Sequence, residues 1–148
     1  MKETAIKVIE LSLSPVTEIP KAILAIIEHS FVYSMDELLL AKENKKTMYI
    51  ASNENGELIG YAIVTVAYPF EVADGLEADI TGKVLWIDVL EIANSYQGNN
   101  YGRAFVDYIR NRYSYDLLLI STEESVCFWQ QMGLDMISYS GEMPYMLS

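Results

Sequence analysis

The chain has 148 residues, of which 51% are hydrophobic and 11% aromatic, enough for one packed domain over residues 1–148 and against disorder. Twenty-one acids against ten Lys and Arg give a formal charge of −11, which argues against a nucleic-acid partner and is compatible with cationic ligands. A single cysteine, Cys127, and a single histidine, His29, leave no disulfide and no Cys/His metal cluster, and no metal site is expected.

Ile6 to Leu13 reads as a first strand. Pro20 then stands where an opening helical turn tolerates proline, and Ile23, Ile27 and Phe31 repeat every four residues along one face. The most apolar stretch, Ala22 to Ile27, is too short to cross a bilayer, and Glu3 and Glu10 do not fit a secretory leader, so a cytoplasmic location without membrane attachment is expected. Ser34-x-x-Glu37 forms a capping box that opens a second helix ending near Asn44. Thr47 to Ala51 and Leu58 to Val66 are β-rich runs joined through Asn53-Glu54-Asn55-Gly56, whose Asn-Gly pair supplies the positive φ values of a tight hairpin. The connection from Pro69 to Lys83 carries Glu71, Asp74, Glu77 and Asp79; it is either a solvated acidic loop or a wall that attracts an amine.

Val84 to Ile92 is apolar enough to be a strand covered on both faces, and it belongs at the centre of a sheet. It runs through Ala93-Asn94-Ser95-Tyr96-Gln97-Gly98-Asn99-Asn100-Tyr101-Gly102-Arg103 into a helix whose core stripe is Phe105, Ile109 and Tyr113. A strand, a polar glycine-bearing turn and a helix N-terminus make an anion site, because the first N–H groups of a helix lack intrahelical acceptors and sit at the positive end of its dipole. Arg103 stands at that phosphate end, while Arg110 and Arg112 lie near the helix C-terminus, where the dipole accounts for them. Asp116 to Ile120 returns as a buried strand, completing a βαβ unit with a right-handed crossover. Ser121-x-x-Glu124 reads as a second capping box before a helix through Val126, Trp129 and Met132 that stops at Gly133. Cys127 is expected to be a buried, inert thiol in that helix. A terminal hairpin turns at Ser140-Gly141, and Pro144 points to an edge strand.

The turn resembles motif A of the GNAT superfamily of N-acetyltransferases, Gln/Arg-x-x-Gly-x-Gly/Ala, with Gln97, Asn100 and Gly102 at its defining positions. Asn100 replaces a glycine there, and asparagine is among the residues that best tolerate positive φ. Ser125-Val126-Cys127-Phe128-Trp129-Gln130-Gln131-Met132-Gly133-Leu134 is similar to that family's motif B helix, and the element order matches over nearly the whole chain. The resemblance implies a mixed α/β GNAT-like three-layer fold: a mostly antiparallel sheet with one splayed parallel strand pair, flanked by helices. It also implies acetyl-CoA as co-substrate, with an amine as acyl acceptor, and leaves monomer and homodimer both open.

By the same resemblance Leu90, Glu91 and Ile92 bind the pantetheine arm through their backbone near a β-bulge. Gln97, Gly98, Asn99, Asn100, Tyr101, Gly102 and Arg103 hold the pyrophosphate, with Phe128 also at the cofactor. A backbone N–H in the first segment can polarise the thioester carbonyl. Proton handling departs from the family pattern: Trp129 stands where many members have a tyrosine acid, Thr122 replaces a common asparagine, and Leu117 sits where some carry a glutamate. The remaining bases are Glu91, then Asp88, on opposite faces of the strand; either can instead be a structural acid or bind a cation. Tyr139 and Tyr145 on the terminal hairpin can approach the cleft, but no general acid is assigned. The alternatives to an amine acetyltransferase are a noncatalytic acyl-CoA-binding module and another phosphate-ligand domain.

Overall fold

The computed structural model describes residues 5–148, which leaves Glu3 outside the described residues. In chain order the elements are β1 (Lys7–Ser12), α1 (Lys21–Glu28), α2 (Met35–Glu43), β2 (Thr47–Ser52), β3 (Leu58–Ala67), α3 (Pro69–Val72), β4 (Val84–Ile92), α4 (Tyr101–Arg112), β5 (Leu117–Ile120), α5 (Val126–Gln131), β6 (Asp135–Ser140) and β7 (Met143–Leu147). The strands form one seven-stranded sheet in the order β1-β2-β3-β4-β5-β7-β6, with β4 in the middle position. The β4–β5 pair is parallel, in register at Leu85 with Leu117 and Trp86 with Leu118, and β4 runs on to Ile92. The β1–β2, β2–β3, β5–β7 and β6–β7 pairs are antiparallel. Among the described residues no helix is long and apolar enough to cross a membrane.

The chain divides into two compact units. The first comprises the residues up to Val64 together with Val89–Ile109. Its core gathers Leu13, Ile23, Ile27, Tyr33, Leu38, Met48, Ile50, Tyr61, Ile63 and Val89. Burial at this level stabilises by about 1.5–3 kcal/mol per large aliphatic side chain, and Ile23 and Ile27 are the two α1 residues that achieve it. Phe31, expected on the same face, is fully exposed, because α1 ends at Glu28 and the chain has left the helical path that would carry a third turn inward. Ser34 caps α2 as expected, its Oγ accepting from Glu37 N–H at 3.1 Å, and Asn44 ends the helix. In the β2–β3 hairpin only Gly56 has positive φ, +79°. The role expected of the Asn-Gly pair is taken instead by buried Asn53, whose Oδ1 accepts from the N–H groups of Asn55 and Glu57, each at 3.0 Å.

The second unit comprises Thr65–Asp88 and Arg110–Ser148. Its core joins Ala73, Val84, Trp86, Leu118 and Tyr145, with Val72, Leu76 and Ile80 packed against them. Three expectations are corrected here. Pro144 is not on an edge: β7 lies between β5 and β6, and β6 is the edge strand. The missing N–H is tolerated because Pro144 sits at the start of β7 where β5 has just ended, and it contributes only its carbonyl, which accepts from Ser121 N–H at 2.9 Å. The second capping box does not form. Ser121 Oγ donates to Thr122 C=O at 2.7 Å, Glu123–Ser125 make a 3₁₀ turn, and α5 starts at Val126 without a side-chain cap. Cys127 is exposed, since α5 turns Trp129 and Met132 inward and places Cys127, about 200° from Trp129 around the helix, outside.

Candidate active site

The end of β4 is built by close approach of two backbones. At Gly60 of β3 a Cβ would lie 2.5 Å from the carbonyl oxygen of Glu91 and 2.8 Å from Ile92 Cδ1, so this position admits only glycine without a shift of β4. A lone glycine inside a strand pattern is the sequence signal for such an approach, but it does not say which segment comes close. Ala93 N–H bonds Ile59 C=O at 2.8 Å, and Gln97 Nε2 donates to Ile92 C=O at 2.9 Å and to Asn94 Oδ1 at 3.2 Å, ending the strand and starting the turn. Gln97 thus shapes the turn through its side chain.

A 3₁₀ turn, Asn94–Tyr96, leads into two left-handed residues, Gly98 at φ +85° and Asn100 at φ +64°. Asn100 therefore adopts the conformation that the glycine it replaces would have supplied, at the modest cost asparagine bears there. A Cβ at Gly98 would meet nothing within 4 Å, so the turn is open on that side. The first bond of the helical ladder runs from Ala104 N–H to Asn100 C=O at 3.1 Å, which puts the N–H groups of Tyr101, Gly102 and Arg103 at the positive end of the twelve-residue α4. Arg103 is exposed at that end, while Phe105, Val106 and Ile109 bury the opposite face. Asn99 Nδ2 donates to the carbonyls of Tyr96 and Gln97 at 3.4 Å, and Tyr96 and Tyr101 meet edge to face at 6.2 Å. Asn53 Nδ2 donates to Glu57 Oε1 at 3.0 Å and Tyr96 OH to Glu57 Oε2 at 2.7 Å; these two bonds, that of Asn53 first, hold the Glu57 carboxyl below its ordinary range, and the bond to Glu57 raises the Tyr96 phenol.

Glu91 is half-buried in the same unit and accepts from Tyr61 OH at 2.5 Å. Tyr61 has no exposed surface, and burial first, then the bond to Glu91, push its phenol far above the ordinary tyrosine range. It is a permanent donor at working pH, and the carboxylate is oriented by it. Tyr61 lies thirty residues from Glu91 in sequence, and no local pattern announces the pair.

The second unit holds the other sequence candidates. Asp88 accepts from Thr65 Oγ1 at 2.8 Å. Phe128 is half-buried on α5 and meets Trp129 edge to face at 5.0 Å, while Trp129 itself is buried in the core. Leu117 is likewise a core residue, and Thr122 Oγ1 bonds Ser125 Oγ at 3.0 Å. Tyr145 is buried with its OH donating to Asp74 C=O at 2.6 Å, so it is committed to structure; Tyr139 is exposed. Arg110 does more than face its own helix dipole: its Nη2 donates to Met132 C=O at the C-terminus of α5, at 2.5 Å.

A mixed sheet whose middle strand leads through a left-handed turn to a helix N-terminus defines an α/β protein with the backbone geometry at which anions can be received. Comparison with known families makes the class specific: the acetyltransferase (GNAT) family model matches residues 17–116, and the chain belongs to that family of acyltransferases. Among solved structures it is similar to the N-acetyltransferase YlbP of Bacillus subtilis in complex with coenzyme A, with a TM-score of 0.68, 18% identity, and 97% of this chain and 96% of that one covered. It is also similar to NAA60 of Arabidopsis thaliana in complex with acetyl-CoA, with a TM-score of 0.66, 12% identity, and 96% and 98% covered. A putative acetyltransferase from an Exiguobacterium species gives 0.62 at 14% identity, over 97% and 93% of the two chains. A search of curated sequences returns no significant match.

Proposed function

We infer that the chain works as one acyl-CoA-binding domain that transfers an acetyl group from acetyl-CoA directly to a primary amine, on a small molecule or a peptide. The observation that carries this reading is the pair of left-handed residues, Gly98 and Asn100, opening onto the N-terminus of α4. The neighbours crystallised with coenzyme A and acetyl-CoA support it. Acetyl-CoA supplies an activated acetyl thioester when bound. The N–H groups from Gly98 through Arg103, with the Arg103 guanidinium, receive its phosphates. The backbone of Leu90, Glu91 and Ile92 aligns the pantetheine arm, and an N–H of that segment donates to the thioester carbonyl as negative charge grows on its oxygen.

The amine nitrogen forms the new C–N bond, the C–S bond breaks with CoA departing as its thiolate, and the proton of the amine passes to Glu91, the first choice of base, held in place by Tyr61. Asp88, held by Thr65, is the second choice. A noncatalytic acyl-CoA-binding module is the alternative, favoured by one observation: Trp129, at the family's tyrosine-acid position, is buried in the core.

Calorimetric titration with acetyl-CoA, CoA and ATP, repeated on Gly102→Glu, tests the site. An acid in the first turn suits the helix dipole, so the variant folds, but it repels phosphate. Binding of both CoA forms that is lost in the variant supports the reading; no CoA binding by folded wild type refutes it. Thiol release across an amine panel then separates the enzyme from the binding module.

A further inference from the structure

The β3–β4 connection lines a half-open pocket of about 400 Å³ that the acetyl-transfer reading does not use. That volume lies within the range of small-molecule sites. Its walls include Tyr68, Phe70, Ala73, Asp74, Leu76 and Ile80, all in the second unit. Tyr68 and Phe70 stack at 5.6 Å with only 12° between their planes, and both are open to solvent, Phe70 to 82%. A large exposed ring such as Phe70 on α3 is uncompensated apolar surface unless something covers it.

The walls are fixed before any ligand arrives. Glu71 Oε1 accepts from Tyr68 N–H at 2.9 Å, the buried Tyr145 donates to Asp74 C=O at 2.6 Å, and Glu77 N–H bonds Ser138 Oγ at 3.2 Å. Leu76 and Ile80 pack onto the second core from beneath. Charge selects the occupant. Asp74 is the one charged residue in the lining, and no Lys or Arg occurs between Tyr68 and Gly82. The aromatic pair already attracts a cation, since the Lys83 ammonium stands 5.5 Å from the centre of the Tyr68 ring. Phe70, the other member of the stack, keeps most of its surface in water.

We propose that this cavity binds an organic ammonium ion with an apolar body, the rings and Leu76 taking the body and the Asp74 carboxylate the charge. The site stands or falls independently of acetyl transfer. The test uses the full chain without acetyl-CoA and follows backbone amide NMR shifts on titration with phenethylammonium, 2-phenylethanol as its neutral counterpart and 3-phenylpropionate as the anion. The expected result is saturable binding of the cation with shifts in residues 68–80, about tenfold tighter than the alcohol, and still weaker binding of the anion. Phe70→Ala and Asp74→Asn should each weaken the cation about fivefold. Both variants fold, because Phe70 is exposed and Asp74 is held by its backbone. Equal binding of cation and alcohol, shifts outside the loop, no saturation, or unchanged affinity in both variants overturns the proposal.

Discussion

Replacing Gly60 by alanine probes the contact between β3 and the end of β4. The new Cβ falls 2.5 Å from the Glu91 carbonyl oxygen, about 0.9 Å short of the 3.4 Å at which ordinary contact begins. Ile92 Cδ1, at 2.8 Å, is the tip of a side chain and can turn away. The carbonyl belongs to backbone, and retreat is opposed by the 2.8 Å bond from Ala93 N–H to Ile59 and the 2.9 Å bond from Gln97 to Ile92. Overpacking costs about 1–3 kcal/mol, here about 2–3 because the atom met is backbone, and the loss of glycine's freedom in the unfolded chain returns at most about 1 kcal/mol. The net, about 1–2 kcal/mol, corresponds to a fall of about 2–8 °C in the melting temperature of a chain this size. Scanning calorimetry reads it, and urea unfolding should show a lower midpoint with an unchanged slope. Since the displaced segment is the one inferred to align the pantetheine arm, CoA affinity should fall with it. A Gly60→Ala protein that melts within about 1 °C of wild type and binds CoA equally would refute the close approach.

Asn100→Gly should keep wild-type stability, whereas Asn100→Val, forced to hold φ +64°, should lose about 1–2 kcal/mol in urea unfolding. Tyr61→Phe removes the donor to the half-buried Glu91 and should cost about 1–2 kcal/mol, with an altered pH–rate profile if Glu91 is the base; an unchanged profile would make the pair structural only. Ser34→Ala should cost about 1 kcal/mol through loss of the α2 cap, measured as a shift in urea midpoint. The Glu57 carboxyl lies lower in the folded protein than in the unfolded chain, so its contribution is present above its unfolded pKa and fades as pH falls through the folded value. Glu57→Gln should therefore be less stable than wild type at pH 7 and converge with it in acid below the ordinary carboxylate range; a constant gap would disprove the linkage.

The strand–turn–helix around Gly98 and Asn100 was legible because each part is a local matter. An apolar run, two residues suited to left-handed backbone and an amphipathic repeat all act within a few positions of themselves. The Ser34 cap and the inward face of α1 at Ile23 and Ile27 were legible for the same reason. Local rules also misled. Periodicity extended α1 to Phe31, although the helix stops at Glu28. Ser121-x-x-Glu124 has capping-box spacing, yet Ser121 spends its hydroxyl on Thr122 and the helix starts two residues after Glu124.

By itself the sequence determined the order of elements apart from the one-turn α3, read as part of a loop, together with the acidic balance and the turn that marks the family, because backbone preference and hydrophobic period are short-range properties. The tertiary structure alone decided which groups meet. Tyr61 reaches Glu91 across thirty residues, Thr65 reaches Asp88 across twenty-three, and Tyr145 pins Asp74 across seventy-one. It also set β7 between β5 and β6, where Pro144 needs only its carbonyl, and turned Cys127 outward. Hydrogen-bond partners and strand neighbours follow from the register of distant segments, and no spacing within one segment encodes that register.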